Sequence, residues 1–151
     1  MDIMSDTGQD TVLTLNKAQA IVTASLEKAA SAGMKPLAIA VLDARGALKA
    51  FGASDGTSLR RGEVAIGKAH GAVALGMGSR AIADRAATDP SFVAAVTHAV
   101  GGSLIPVPGG VLIMAGDTLL GAVGASGDTS DNDEAAVVAG IEAAGYTARI
   151  R

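Results

Sequence analysis

The chain has 151 residues, a formal net charge of −3 and no cysteine. That length points to one domain, since single domains run about 100–200 residues. Without cysteine there are no disulfides, thiolate nucleophiles or cysteine-based metal sites, and with Arg60-Arg61 as the only basic cluster there is no electrostatic footprint for nucleic acid.

Apolar residues make up 49% of the chain, but much of that is alanine, and the aromatics are Phe51, Phe92 and Tyr146. Small side chains each bury little area, at roughly 25 cal/mol per Å², so the elements have to approach closely. Burial between subunits would add to the core, and a homo-oligomer is expected. The start, MDIMSDTGQD, lacks the basic-then-apolar order of a secretory signal. No apolar run approaches the roughly 20 residues that span a bilayer. A cytoplasmic protein with no membrane partner is the expectation.

Residues 1–12 read as a flexible tail and 13–151 as the single domain. Leu15, Ala18, Val22, Leu26 and Ala29 form the stripe of an amphipathic helix, with Thr14 as its N-cap and Gly33 as its stop. After Pro36, the apolar run Leu37 to Leu42 turns at Asp43-Ala44-Arg45-Gly46 and returns as Ala47 to Phe51, a hairpin. Residues 58–78 predict a second helix capped by Ser58. Gly62, Gly67, Gly71 and Gly76 lie within it, each costing up to ~1 kcal/mol against alanine, which makes sense where another backbone comes very close.

Ser79 to Thr88 predicts a short helix, and Asp89-Pro90 starts another, proline suiting a first turn. Val111 to Met114 and Thr118 to Ala125 form a second hairpin, and a last helix runs from about Asp131 to Ala144, stopping at Gly145. Tight turns cannot supply the long crossovers of a parallel sheet. The fold class is therefore α+β, an antiparallel sheet of about five strands covered by helices. At the last helix, Ser130 occupies the N-cap place and Asp133 the acid of a capping box, while Asp131 and Glu134 fill the first turn. Those acids would repel a phosphate there. Ser126, Gly127 and Asp128 leave a strand abruptly, at what reads as the rim of a pocket.

Four stretches, LTLNKAQAIVTASLEKA, IAVLDARGALKAFGASDGTS, IGKAHGA and PVPGGVLIMAGDTLLGAVGASGDTSDNDEAA, come in an order that resembles the GlcG/HbpS family. That family is also called the heme-degrading or DUF336 family and is related to the C-terminal domain of PduO. The resemblance implies profilin- or roadblock-like α-β-α layers and a cyclic oligomer, often an octamer. It also implies a cofactor pocket touched by Gly109, Gly110, Ser126 and Gly127. The chain departs from the family in reading Ala53-Ser54-Asp55-Gly56 where an Arg-Met-Asp-Gly-like run is usual, so any anion contact of that arginine is missing.

Two functions follow from the residues and the resemblance. In the first, the protein binds heme or a related tetrapyrrole. Heme iron needs an axial donor, commonly imidazole, and the imidazoles are His70 and His98. His70 lies two turns beyond Glu63 in the glycine-rich helix, and His98 ends a short helix where a cation is welcome. Lys68, between apolar Val64 and Ala72, would pair a propionate. In the second, an isomerase, hydratase or lyase acts on a small carboxylate or hydroxy acid. Lys68 holds the carboxylate while Asp55, His70 or Asp128 moves protons. Two histidines without a spaced carboxylate make no zinc site, and no metal ligands are assigned.

Overall fold

Thr14 opens the first helix, α1 (Leu15–Ser31), its hydroxyl accepting the Lys17 N–H at 3.2 Å. The computed structural model describes residues 10–151, so most of the expected tail lies outside the described residues. Ala18, Ile21, Val22, Ser25 and Ala29 form the buried stripe of α1. Leu15, expected on that stripe, is exposed instead.

Strands β1 (Ala38–Asp43) and β2 (Leu48–Ala53) pair antiparallel around the expected turn. Asp43 closes that turn by accepting the Arg45 and Ala47 N–H groups at 2.9 and 3.1 Å, and Gly46 takes the left-handed φ of +85° it requires. Helix α2 (Arg61–Leu75) starts later than expected. Arg60 stands at its N-cap, no side chain caps it, and Ser58 offers only its carbonyl, to the Arg61 N–H.

Helices α3 (Ser79–Thr88) and α4 (Pro90–Ala99) follow, the Asp89 carboxylate capping α4 through the Phe92 N–H. Then come β3 (Gly110–Ala115), β4 (Thr118–Ser126), α5 (Ser130–Ala143) and a short β5 (Thr147–Arg149). The five strands lie in the order β2-β1-β4-β3-β5, and every pair is antiparallel. This is the α+β sheet read from the hairpins, with β5 added at an edge.

Strand side chains alternate between faces. Ile39, Val41, Val111, Ile113 and Val123 pack under α1 and α5 with Ile21, Val137 and Ile141. On the opposite face Leu42, Leu112 and Ala122 meet Ala69 and Ala72 of α2.

Two of the helix glycines meet the close backbone expected of them, the Ile105 N–H donating to the Gly67 carbonyl at 3.3 Å, whereas Gly76 ends the helix at a left-handed φ of +68°. Gly67 and Gly71 make room for the chain returning toward β3, where an added Cβ would sit 2.7 Å from Ile105 Cγ1 and 3.0 Å from Leu104 Cγ. The close approach of helix to sheet is made by strand glycines. A Cβ on Gly124 would collide with the Ala65 carbonyl, and one on Gly110 with the Lys68 carbonyl.

Replacing Gly124 with Ala therefore forces α2 off the sheet. The expected destabilisation is at or above the upper end of the about 1–3 kcal/mol typical of overpacking, read as a lower urea midpoint at unchanged slope.

Candidate functional site

Because α2 lies so close to β3 and β4, Lys68 is carried into the interior, its side chain 3% exposed. Its Nζ donates to Asp133 Oδ2 at 3.1 Å and to the Ala125 carbonyl at 2.8 Å. A Cβ at Gly109 would lie 2.9 Å from that ammonium, so Gly109 leaves the room it occupies. The second oxygen of Asp133 accepts the Asp128 N–H at 2.9 Å. One ion pair thus ties α2 to the end of β4 and the first turn of α5. Burial pushes the Lys68 ammonium below its ordinary range and the Asp133 carboxyl above its own, while their mutual attraction opposes both shifts.

Asp133 is thus not the capping-box acid. The cap of α5 is Thr129 rather than Ser130, its hydroxyl accepting the Asn132 N–H at 3.2 Å. Asp131 and Glu134 occupy the first two turns, and both reach Arg80 of α3. The Arg80 Nε donates to the two Glu134 oxygens at 3.0 and 3.2 Å, and a terminal nitrogen donates to Asp131.

The other predicted residues of this region pack around the same junction. The Ser126 hydroxyl, buried, accepts from Arg61 at 3.2 Å. Gly110 donates its N–H to the Ser79 hydroxyl at 2.7 Å. A Cβ on Gly127 would collide with the Pro36 carbonyl. The Asn132 amide and the Lys35 N–H bond the Asp128 side chain and hold its carboxyl below the usual range. Asp55 is exposed between β2 and α2, and among the described residues no hydrogen bond joins it to Lys68 or Asp128.

A second cluster forms around His70, in the C-terminal half of α2. Its Nδ1 lies 2.8 Å from the Ser103 carbonyl. A carbonyl only accepts, so Nδ1 carries the hydrogen, and in the neutral ring Nε2 holds the lone pair. The ring lies against two glycines. A Cβ at Gly46 would sit 3.4 Å from Cδ2, and one at Gly102 would sit 2.7 Å from Cε1 and 2.9 Å from Nε2. Ile66 and Val73, half-buried, flank His70 along the helix. His98 is exposed in the last turn of α4.

Lys68, Gly109, Gly110, Ser126, Gly127 and Asp128 are thus gathered at one junction, and His70 sits at another. The sequence reading missed Asp133 as the partner of Lys68, although a signal was present. Asp133 shares a helix stripe with Val137 and Gly140, and an acid on an apolar stripe needs a buried partner. Nothing in the sequence pointed to Ser103.

A single antiparallel sheet with α1 and α5 on one face and α2 on the other, its interior lysine locked to the start of the last helix, defines a small α-β-α domain. The chain belongs to the HbpS-like family: the profile described as Haem degrading protein HbpS-like matches residues 13–142. The crystal structure of HbpS is 26% identical, with a TM-score of 0.78, over 96% of this chain and 99% of that one. The PduOC:heme complex is 21% identical, with a TM-score of 0.79, over 89% of this chain and 96% of that one. The Klebsiella pneumoniae protein ORFY, of the DUF336 family, is 23% identical with a TM-score of 0.78, covering 95% of this chain and 97% of that one. The last two likenesses bear on the fold alone. No curated protein matches the chain. Among the described residues no helix is long and apolar enough to cross a membrane.

Removing one member of the buried pair strands the other. Lys68→Met or Asp133→Leu alone is expected to cost about 3–5 kcal/mol, and the double variant less than the sum of the two. Urea denaturation of the four proteins measures this coupling.

Proposed function

We propose that this protein binds heme or a related tetrapyrrole, with His70 as the axial donor. The observation that carries this reading is the Ser103 carbonyl 2.8 Å from Nδ1. Such a bond on one ring nitrogen orients the imidazole and leaves the other as a ligand. Family membership supports the same ligand class. Ile66 and Val73, a turn away on either side and partly packed on the core, supply through their exposed parts the apolar surface a macrocycle requires. When bound, heme supplies a redox-active iron whose properties are set by this axial ligand and its surroundings.

The chain's own residues orient and admit the ligand. Gly46 and Gly102 keep side chains away from the ring edge. Lys68, enclosed with Asp133, is not available to a propionate. Arg45, beside Gly46, pairs with Asp43 at 3.0 Å but is 82% exposed. An exposed pair of this kind contributes little, so Arg45 takes that role by exchanging Asp43 for the propionate. His98 has no carbonyl partner to orient it among the described residues and is the weaker donor. Self-association is part of this proposal, because Leu48, Phe51 and Leu59 are large apolar side chains left exposed.

Hemin titration of the purified protein is expected to give a saturating, stoichiometric Soret shift. The shift is lost in His70→Ala and kept in His98→Ala. A featureless, non-saturating change, or one that persists in His70→Ala, overturns the assignment. Gly102→Ala, whose methyl would press on Nε2, is expected to weaken hemin binding about tenfold or more at nearly unchanged thermal stability. Light scattering on the same samples reads the self-association.

A further inference from the structure

Beyond both clusters, α3 and α4 form an annex with a small core of its own. Ile82, Val93 and Leu104 are buried there, and Leu75, Met77, Ala86, Val96 and Val100 pack around them. Helix α4 carries no Asp, Glu, Lys or Arg, and Val93 is its one buried residue. It rests mainly on α3.

Between the end of α2, α3 and α4 lies a cavity of about 210 Å³, lined by Leu75, Met77, Ile82, Arg85, Phe92 and Val93. Its walls are apolar except for one cation. The Arg85 guanidinium lies over the Phe92 ring, 3.9 Å from its centroid. Among the described residues its one carboxylate partner is Asp89, at 3.5 Å, with both side chains about half exposed. An exposed pair that long contributes little, and a guanidinium offers five donors in a fork suited to a carboxylate. The neighbouring acid Asp84 is occupied by Arg151.

An apolar pocket with a single placed polar group is the usual form of a small-molecule site. The volume corresponds to roughly seven water-sized groups, which excludes a porphyrin and admits a compact organic acid. We propose that this cavity binds a small apolar monocarboxylate, its tail among Leu75, Met77, Ile82 and Val93 and its carboxylate on Arg85, in place of the long Asp89 contact. Filling the cavity adds contacts beneath a helix that buries one residue of its own, so the ligand also steadies α4. The site shares no residue with the His70 cluster, and the proposal does not depend on heme binding.

The test titrates the heme-free protein with benzoate and hexanoate, following amide shifts by NMR, with benzamide as the uncharged control. Saturable shifts centred on Phe92 and Val93 are expected, with benzamide about tenfold weaker or more. Arg85→Gln is expected to weaken benzoate by a similar factor while the melting temperature and the hemin titration stay unchanged. Val93→Phe, which fills the cavity, is expected to abolish the shifts. Failure of both acids to saturate, equal binding of benzamide, or undiminished benzoate binding by Arg85→Gln overturns the proposal.

Discussion

The architecture depends on how closely α2 can lie on β3 and β4. Two glycines set this distance, Gly124 under Ala65 and Gly110 under Lys68, each with helix backbone where a side chain would otherwise stand. A core of alanine and valine can fill an interlayer space only if it is thin, because packing density is close to constant in protein interiors. The glycines make it thin. Everything on α2 is thereby placed: Lys68 is driven inward to Asp133, and His70 is brought against the β1–β2 turn and the chain preceding β3.

The two lysine and histidine positions, two residues apart on one helix, end in opposite circumstances. Lys68 faces the sheet and must find a charge partner, since an unpaired buried ammonium is costly. The partner comes from the last helix, so the pair joins the middle of the chain to its end. His70 faces the rim. Its one orienting bond, to the Ser103 carbonyl, engages Nδ1 and not Nε2, and Gly46 and Gly102 lie against the ring where side chains would press on it. The lysine thus serves cohesion, and the histidine is the donor on which the proposed heme binding rests.

Much of this was legible along the chain. Both hairpins, the Thr14 and Asp89 caps and the glycine stops follow from local chemistry, because a turn or a cap is decided by residues three or four apart. Helix starts were less legible. Ser58 and Ser130 are good cap types, yet α2 begins at Arg61 and Thr129 caps α5. A good cap type close to a helix start does not by itself fix the start, as α2 opens with no side-chain cap and α5 takes the hydroxyl one residue earlier. Strand β5 was not placed because its exposed, half-buried, exposed alternation runs for three residues, too few to separate a strand from a loop.

The sequence alone determined the fold class, the family and the residue types available for chemistry: two imidazoles, no thiol, and Lys68 between apolar Val64 and Ala72. The fold class and residue types rest on composition and short-range periodicity, the family on the resemblance of four motifs in a fixed order. Only the tertiary structure decided which groups meet. Lys68 and Asp133 are 65 residues apart, and His70 and Ser103 are 33 apart. Their pairing is set by the layering of helix on sheet, a property of the whole packed chain that no local stretch encodes.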